Sequence, residues 1–284
     1  MKARIQKGFS AVPQGHRLNY LLQRHVTHSL PRSSDALQEI VTTAERHLAA
    51  VSAHTDTPIA DLRFFEFGSG YDLAEPLASA ALGVEDRLLY DIRPVARPAM
   101  VRATVDRLRA LGVDLPPVDE RGDLATYLAS VGIRYVAPAD ARATDLADGS
   151  IDVCSTTSVL EHIGADDLAR ILTELRRILV PGGLCSFAVD YHDHFAGADS
   201  SIDGLHFLRY TDDEWNRWNS DLQFQSRLRH DDYVQLFTDA GFELTSVDAV
   251  VDPAFPSEPE VADRFAGRDD LAIGDGWFVL TNPA

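Results

Sequence analysis

Cysteine is scarce in this chain of 284 residues, which has only Cys154 and Cys185. Each cysteine lies within an apolar run of the kind that forms interior strands, so we interpret both as small buried hydrophobic residues. Two such cysteines predict no disulfide framework. A chain of this length is long enough to bury a sizeable core without one.

Long apolar runs are also absent. The first seven residues, MKARIQK, lack the continuous apolar stretch of a signal peptide. No run of about 18 apolar residues is present that could span a bilayer. We therefore expect a soluble, cytoplasmic protein that has no membrane partner.

Basic residues are few relative to acidic ones. The chain has 26 lysine and arginine residues against 44 aspartate and glutamate residues, which gives a net charge of −18 at pH 7. This charge repels the phosphate backbone of nucleic acids unless basic residues are segregated on one face, and no such cluster occurs. We therefore expect no nucleic-acid partner, although acidity alone identifies no other partner.

One segment that is present, residues 62–72 (LRFFEFGSGYD), carries most of the functional information. It predicts a strand that contains a carboxylate, Glu66, turns sharply through Gly68 and Gly70, and leads into a helix near Asp72. Glycine is needed at such a turn because a side chain would block both the backbone torsions and the close approach of a ligand. We expect a small molecule to lie across this turn.

A second apolar run ends at Asp91, which follows Gly70 by 21 residues. In nucleoside-binding α/β folds, an acid at this spacing accepts hydrogen bonds from ribose hydroxyls. Asp91 is therefore our predicted ribose ligand. The alternative is a surface aspartate that ends a strand.

Strands and helices alternate from residue 61 onward, which predicts a parallel sheet wrapped by helices. Pro181–Gly183 (PGG) is expected to stop the helix before the fifth strand. Ahead of the sheet, 16–28 and 34–51 have helical spacing. The fold class is α/β, a Rossmann-like, doubly wound, mostly parallel seven-stranded sheet with a terminal antiparallel hairpin, an N-terminal helical extension and an insertion after the fifth strand. The predicted strands are 62–67, 88–91, 134–140, 151–156, 184–189, 242–250 and 276–281, and the predicted helices between them are 73–82, 100–111, 168–179 and 231–240.

Five motifs in this order resemble the class I S-adenosylmethionine-dependent methyltransferase family. The resemblance covers about residues 61–190 and resumes near residue 231. It departs from the family at Asp72, where the common pattern has a third glycine. The motifs are Glu66–Gly70 (EFGSG), Asp91, Asp140–Ala141, Ser158–His162 (SVLEH) and Leu175–Gly183 (LRRILVPGG).

The resemblance implies S-adenosylmethionine as the cofactor and assigns residues to hold it. Asp140 would reach the adenine amine, although it could instead only cap the turn after its strand. Glu161 and His162 would border the cofactor, either as a helix cap and structural groups or, for His162, with a direct catalytic role. The implied cofactor residues are Glu66, Gly68, Ser69 and Gly70 at the methionine part, Asp91 at the ribose, Ile92, Asp140 and Ala141 at the adenine, and Ser158 after the fourth strand.

The resemblance also implies a division of the chain. Residues 1–60 would form a helical extension or lid, 61–190 the S-adenosylmethionine-binding core, 191–230 a substrate-side insertion, and 231–284 the helix and strands that complete the sheet. The insertion is rich in aromatic residues and histidines, which suits the wall of a small-molecule pocket. A small separate core and the contact of a homodimer are alternatives. Its aromatic residues are Tyr191, Phe195, Phe207, Tyr210, Trp215, Trp218 and Phe224.

His192 and His194 directly follow the fifth strand and would project to the same side if the strand continued. A neutral imidazole can take the proton of a hydroxyl as the methyl group arrives, so His192 or His194 is the predicted catalytic base. Solvated loop histidines are one alternative. A metal site is another, although no established ligand spacing is matched and we assign no metal; its ligands would come from His192, Asp193, His194, Asp199, Asp203 and His206.

The predicted function is S-adenosylmethionine-dependent methylation of a small molecule, on an oxygen of a sugar or secondary metabolite. The motif Asx-Pro-Pro-aromatic of nitrogen-methylating DNA enzymes is replaced by Ser155–Ser158 (STTS), and neither cysteine follows a proline, as a cytosine-methylating nucleophile would. Three alternatives remain: a non-methylating use of the sulfonium, a nicotinamide-dependent oxidoreductase, and a catalytically inactive partner subunit. The glycine pattern argues against the oxidoreductase, since the third glycine or alanine is missing.

Overall fold

The computed structural model describes residues 30–119, 121–220 and 224–284, so the predicted helix 16–28 lies outside the described residues. The first described helix, α1, spans Ser34–Ser52 and matches the predicted helix 34–51. Ser33 caps it, because the Ser33 hydroxyl accepts a hydrogen bond from the amide of Ala36. The apolar residues of one face, which include Leu37, Val41 and Ala44, are buried against the rest of the fold.

The central element is a seven-stranded sheet with the order β3-β2-β1-β4-β5-β7-β6. Strands β1 to β5 pair in parallel, and β7 is antiparallel to both β5 and β6. The predicted α/β fold class with its terminal antiparallel hairpin is confirmed. The strands are β1 (Arg63–Phe67), β2 (Asp86–Tyr90), β3 (Ile133–Val136), β4 (Ile151–Thr157), β5 (Leu179–Asp190), β6 (Glu243–Val251) and β7 (Ile273–Thr281).

Helices cover both faces of this sheet. Phe64 and Phe65 show the division, since successive side chains of a strand point to opposite faces. Phe64 packs in a cluster with Leu48 and Val51 of α1, whereas Phe65 packs in the cluster that contains the helices of the other face. The remaining helices are α2 (Ala74–Ala81), α3 (Pro98–Ala110), α4 (Leu124–Ser130), α5 (Ala165–Ile178), α6 (Asp212–Trp218) and α7 (His230–Asp239).

Some local features of the structure differ from what the sequence predicts. Helix α4 was not predicted, although Asp123 caps it by accepting a hydrogen bond from the amide of Thr126. Another difference is at Pro181–Gly183, which lies inside β5 rather than between α5 and the strand. The register of β4 and β5 shifts between Ile151 and Val153, and this irregularity accommodates the proline and the positive φ of Gly182.

Both cysteines are buried, as the sequence predicts. Cys154 in β4 and Cys185 in β5 are opposite each other in the register, and neither forms a disulfide. In the described ranges, no helix is both long enough and apolar enough to cross a membrane.

The chain after β5 builds a small second core. Its buried members include Phe207, Leu208 and Trp215 from the segment after β5, and Phe265 from the segment between β6 and β7. Phe195, Tyr210 and Trp218 pack against this cluster. Most aromatic side chains of the predicted insertion therefore contribute to a core, which was one of the alternatives considered.

Candidate functional site

The turn after β1 has the conformation that its glycines predict. Gly68 and Gly70 have φ values of 79° and 77°, in the left-handed region that favours glycine. At Gly68 a Cβ atom would lie 2.7 Å from Cγ1 of Val159, so this position also needs the absence of a side chain. At Gly70 the space is open within 4 Å, and only the torsion requires glycine.

Beside this turn lies a cavity of about 470 Å³, which we call the first cavity. It is bordered by the chain that follows β1, β2, β3 and β4, so it lies at the carboxyl ends of the parallel strands. In open α/β sheets, ligands bind at this edge. Five predicted cofactor residues line it: Gly68, Asp91, Ile92, Asp140 and Ala141.

Asp91 places a buried carboxylate at the first cavity. Its residue is only 6% exposed, and its Oδ2 atom has no hydrogen-bond partner among the described residues. Burial raises the pKa of Asp91 to about 7, against the opposing effect of hydrogen bonds from Tyr135 and the Ser69 backbone. A buried acceptor without a donor is rare in native proteins, so this atom suits a hydroxyl group of a ligand.

Asp140 lines the first cavity and also stabilises the turn after β3. Its carboxylate accepts hydrogen bonds from the Arg142 amide at 2.9 Å and from the Arg142 guanidinium at 2.7 Å. The same guanidinium contacts Asp167 at 2.7 Å. The bond to Arg142 holds the pKa of Asp140 below its usual value. Asp140 thus lines the cavity, as the cofactor assignment requires, and it also caps the turn, as the alternative predicts.

Glu66 lies in β1 just before the turn and is not among the residues that line the first cavity. Its carboxylate accepts a hydrogen bond from the guanidinium of Arg87, which also contacts Glu75 at 3.1 Å. Burial raises the pKa of Glu66 well above its usual value, and the neighbouring Glu75 adds to this effect. Sequence reasoning missed Arg87 and Glu75, because a charged residue inside an apolar strand gives no sign of its partners.

Asp72, which replaces the third glycine of the family pattern, is buried and paired. Arg32 donates a hydrogen bond from Nε to Oδ2 of Asp72 at 2.9 Å. Only 2% of Asp72 is exposed. The carboxylate is therefore neutralised by the chain that precedes α1.

Ser158 stands between two cavities. The second cavity, of about 410 Å³, is lined by Ser158, whereas the next residue, Val159, lines the first cavity. Ser158 has a φ of 51°, which is uncommon for a residue with a side chain and occurs often at functional sites. The second cavity is lined mainly by polar residues of α1 and the strand ends, including Glu39, Thr43, Arg46, Thr157, Asp190, Asp275 and Trp277.

Ser69 and Gly70 belong to the same turn but are absent from the residues that line either cavity. The Ser69 hydroxyl is buried and has no hydrogen-bond partner among the described residues. It is thus a second unpaired polar group beside the first cavity.

His192 has both ring nitrogens bound to carboxylates. Nδ1 lies 2.6 Å from Asp190 Oδ1, and Nε2 lies 2.8 Å from Asp252 Oδ2. The hydrogen bond to Asp190 raises the pKa of His192 to about 9, with support from Asp252. The ring is therefore a cation near pH 7, and neither nitrogen is free to accept a further proton.

His194 lies in a different environment, next to Glu161 and His162. Its ring centroid is 4.8 Å from that of His162, and its Nε2 has no hydrogen-bond partner within the described part of the chain. That nitrogen is 3.9 Å from Glu161 Oε1 and 3.4 Å from Asp190 Oδ2. Of the two predicted bases, His194 is thus the one whose Nε2 makes no well-aligned hydrogen bond, although Asp190 lies close to it.

His162 connects this group of side chains to the first cavity, whose wall it helps to form. Its Nδ1 donates a hydrogen bond to the carbonyl oxygen of Phe224 at 2.6 Å, which leaves Nε2 with its lone pair. Burial lowers the pKa of His162 to about 4, and His194 contributes in the same direction. The imidazole is neutral at physiological pH. The sequence marked His162 only as an ambiguous neighbour of Glu161.

Three residues of the metal alternative make local contacts. Asp199 accepts hydrogen bonds from Ser201, Asp203 binds Arg209, and His206 contacts the hydroxyl of Tyr210.

Of the seven aromatic side chains in the predicted insertion, Phe224 lines the first cavity.

A family model described as a methyltransferase domain matches residues 100–187. No curated protein matches the chain significantly. Among solved structures, a SAM-dependent methyltransferase from Methanosarcina mazei is 14% identical, with a TM-score of 0.47, and the match covers 82% of this chain and 96% of that one.

Two further solved structures are similar to a comparable degree. An S-adenosylmethionine-dependent methyltransferase from Mesorhizobium loti is 16% identical over 82% of this chain and 96% of that one, with a TM-score of 0.46. The [4+2]-cyclase SpnF is 13% identical over 85% of this chain and 81% of that one, with a TM-score of 0.49.

Proposed function

We propose that this chain is a class I S-adenosylmethionine-dependent methyltransferase that methylates an oxygen atom of a small sugar or secondary metabolite. The enzyme class and the cofactor follow from the family. The acceptor, the acceptor atom and a histidine base are the content of the proposal. The observation that carries it is the unpaired Asp91 Oδ2 at a cavity beside the glycine turn.

The residues around the first cavity fit the cofactor. Asp91 offers an acceptor without a donor for ribose hydroxyls, and Gly68 lets a ligand approach the backbone closely. Ile92, which is 61% exposed, offers an apolar surface for a flat ring, with Asp140 and Ala141 nearby. When bound, S-adenosylmethionine supplies an electrophilic methyl group on a positively charged sulfur.

We assign the acceptor to the second cavity. Its volume of about 410 Å³ is in the range of small-molecule sites, which supports a compact acceptor rather than a polymer. The carboxylates of Glu39, Asp190 and Asp275 can accept hydrogen bonds from hydroxyl groups, and Arg46 can donate them. Ser158 is at the boundary of the two cavities, so in this proposal it lies between the methyl donor and the methyl acceptor.

His194 is the base in this proposal. It is not among the lining residues of either cavity, but its Nε2 lies 3.4 Å from Oδ2 of Asp190, which lines the second cavity. Its unpaired Nε2 accepts the proton of the acceptor hydroxyl while the oxygen–carbon bond forms and the sulfur–carbon bond breaks. Asp190 Oδ2, at 3.4 Å, stabilises the imidazolium that results. A base of this type typically contributes about 100-fold to 10,000-fold in rate, and alignment of the reacting atoms can contribute more.

Calorimetry tests the proposal directly. Full-length protein is titrated with S-adenosylmethionine, with its demethylated product and with NAD, and a bound sample is incubated with a panel of sugars and hydroxylated metabolites. We expect binding of the two sulfur compounds, no binding of NAD, and a mass increase of one methylene unit in a panel member. Binding of NAD alone would refute the proposal. A product that has the same mass as the acceptor would indicate a non-methylating use of the cofactor.

A further inference from the structure

The carboxylate of Glu161 is buried, and among the described residues no side chain forms a hydrogen bond with it. The residue is 5% exposed, and neither carboxylate oxygen has a hydrogen-bond partner in the part of the chain that the structure describes. The nitrogen of His194 at 3.9 Å is too distant for a hydrogen bond. Buried polar atoms in native proteins are almost always partnered, so these oxygens indicate a missing ligand.

Two imidazoles lie next to each other beside Glu161, with ring centroids 4.8 Å apart. The Nε2 atom of His194 is buried without a partner. His162 donates its Nδ1 hydrogen to the Phe224 carbonyl, which is the arrangement that orients a metal-bound histidine. One ligand-type atom from each of Glu161, His162 and His194 lies within 4.8 Å of the other two.

We infer that Glu161, His162 and His194 bind one divalent transition-metal ion. Two ligands of a tetrahedral zinc ion are about 3.3 Å apart, given metal–ligand distances near 2.0 Å to 2.2 Å. The separation of 3.9 Å between His194 Nε2 and Glu161 Oε1 needs a small inward movement of the side chains, and the separations of up to 4.8 Å in the cluster need a movement of about 1.5 Å. Asp190 Oδ2, 3.4 Å from the same nitrogen, supplies a further oxygen at this site.

The donor set determines the class of ion. Imidazole nitrogens suit zinc, iron, cobalt and nickel, whereas magnesium and calcium prefer sites built from oxygen alone. Asp190, His192 and Asp275 form a second cluster of the same kind. It does not compete, because both ring nitrogens of His192 are already bound to carboxylates.

The inference rests on the proposed function for its chemical consequence, though not for the binding itself. His162 lines the first cavity, and Asp190, whose Oδ2 is 3.4 Å from His194 Nε2, lines the second cavity. An ion held between them could bind an acceptor hydroxyl in the second cavity as a Lewis acid. The hydroxyl then loses its proton to solvent water, its oxygen forms the bond to the methyl carbon, and the sulfur keeps the electron pair of the broken bond. His194 holds the ion in this case and no longer takes the proton itself.

The test uses untagged full-length protein that has been treated with a chelator and dialysed. It is titrated by calorimetry with Zn²⁺, Mn²⁺, Co²⁺ and Ni²⁺, and the visible absorption of the Co²⁺ complex is recorded. We expect one ion per chain and the absorption bands of cobalt bound to nitrogen ligands. Glu161→Gln and His194→Ala should each weaken binding by about 100-fold or more, since each removes a direct ligand and loss of an outer partner alone costs 10-fold to 100-fold.

His54→Ala is the matched control, because His54 is an exposed histidine outside the cluster. It should bind the ion as the unmodified protein does. Absence of binding for all four ions, or equal binding by Glu161→Gln, would overturn the inference. The cobalt spectrum of the unmodified protein decides the question even if a variant fails to fold.

Titration of the same metal-free protein with S-adenosylmethionine separates the two proposals. If the cofactor binds and no ion does, the metal inference fails while the proposed function stands. If an ion binds and the cofactor does not, the proposed function fails while the metal site stands.

Discussion

The guanidinium of Arg87 donates a hydrogen bond to the carboxylate of Glu66 at 2.5 Å, in a place where both side chains are almost completely buried. Glu75 contacts the same guanidinium from α2. The cation therefore connects two acidic side chains next to the glycine turn, Glu66 of β1 and Glu75 of α2.

Replacement of Arg87 by methionine should destabilise the protein by about 3 to 5 kcal/mol, because it leaves the buried acidic pair Glu66 and Glu75 without its cation. Urea denaturation measures this loss. The matched control is Arg63→Met, which removes an ion pair with Asp152 from a side chain that is 44% exposed. Exposed pairs contribute only about 0 to 1 kcal/mol. Equal losses in the two variants would show that the Arg87 cluster is not a distinct source of stability.

Replacement of Asp91 by alanine should weaken binding of S-adenosylmethionine by about 10-fold to 150-fold, which corresponds to the loss of about 1.5 to 3 kcal/mol of hydrogen bonding to a charged group. Calorimetry measures the change. Asp86→Ala, at the exposed start of the same strand, should leave the affinity unchanged. An unaltered affinity in Asp91→Ala would remove this residue from the cofactor site.

The affinity for the cofactor should also depend on pH through Asp91. Its pKa of about 7 means that the carboxylate is mostly protonated at pH 6 and mostly ionised at pH 8. The ionised form accepts hydrogen bonds from hydroxyl groups more strongly. Affinity should rise about tenfold between these pH values, following the ionised fraction. In Asp91→Asn the same titration should be flat, and a persistent slope would assign the effect to another group.

His192 should make stability depend on pH on the alkaline side. The folded pKa of about 9 lies above the ordinary value of 6.5. The stabilisation is therefore fully present below pH 6.5 and is lost as pH rises through 9. Thermal unfolding between pH 7 and pH 10 should show a loss that His192→Gln lacks. His54→Gln, which changes an exposed histidine, should retain the slope of the unmodified protein.

Alanine at Gly68 and alanine at Gly70 form a matched pair of substitutions. Both positions have positive φ, so each should cost about 1 kcal/mol from the torsion alone. Only at Gly68 does the new Cβ meet Val159, at 2.7 Å, which should add about 1 to 3 kcal/mol of overpacking. Urea denaturation of both variants measures the difference. Similar losses would mean that Val159 moves aside without cost.

Much of the fold could be predicted because the signals are local. The alternation of apolar runs and amphipathic segments predicts each strand of the sheet, and Gly68 needs its conformation for reasons visible in the sequence. The exception at Pro181–Gly183 arises from a shift in strand register, which depends on β4, the neighbouring strand. No local pattern in residues 179–183 contains that information.

The site was harder to predict because its polar groups depend on distant partners. His192 and His194 are two residues apart in the chain and look equivalent, yet one meets Asp252 and the other meets Glu161. These partners come from the chain after β6 and after β4, so the sequence cannot distinguish the two imidazoles. Asp91, in contrast, follows from spacing alone, because strand ends bring it to the cavity whatever the side chains around it.

The pairing of Arg32 with Asp72 joins positions 40 residues apart across the entrance of the glycine turn. Substitution at position 32 would leave an isolated negative charge in the interior, and the loop would have to rearrange to hydrate it. Sequence changes upstream of α1 can thus alter the stability of this loop while the residues that line the first cavity stay the same.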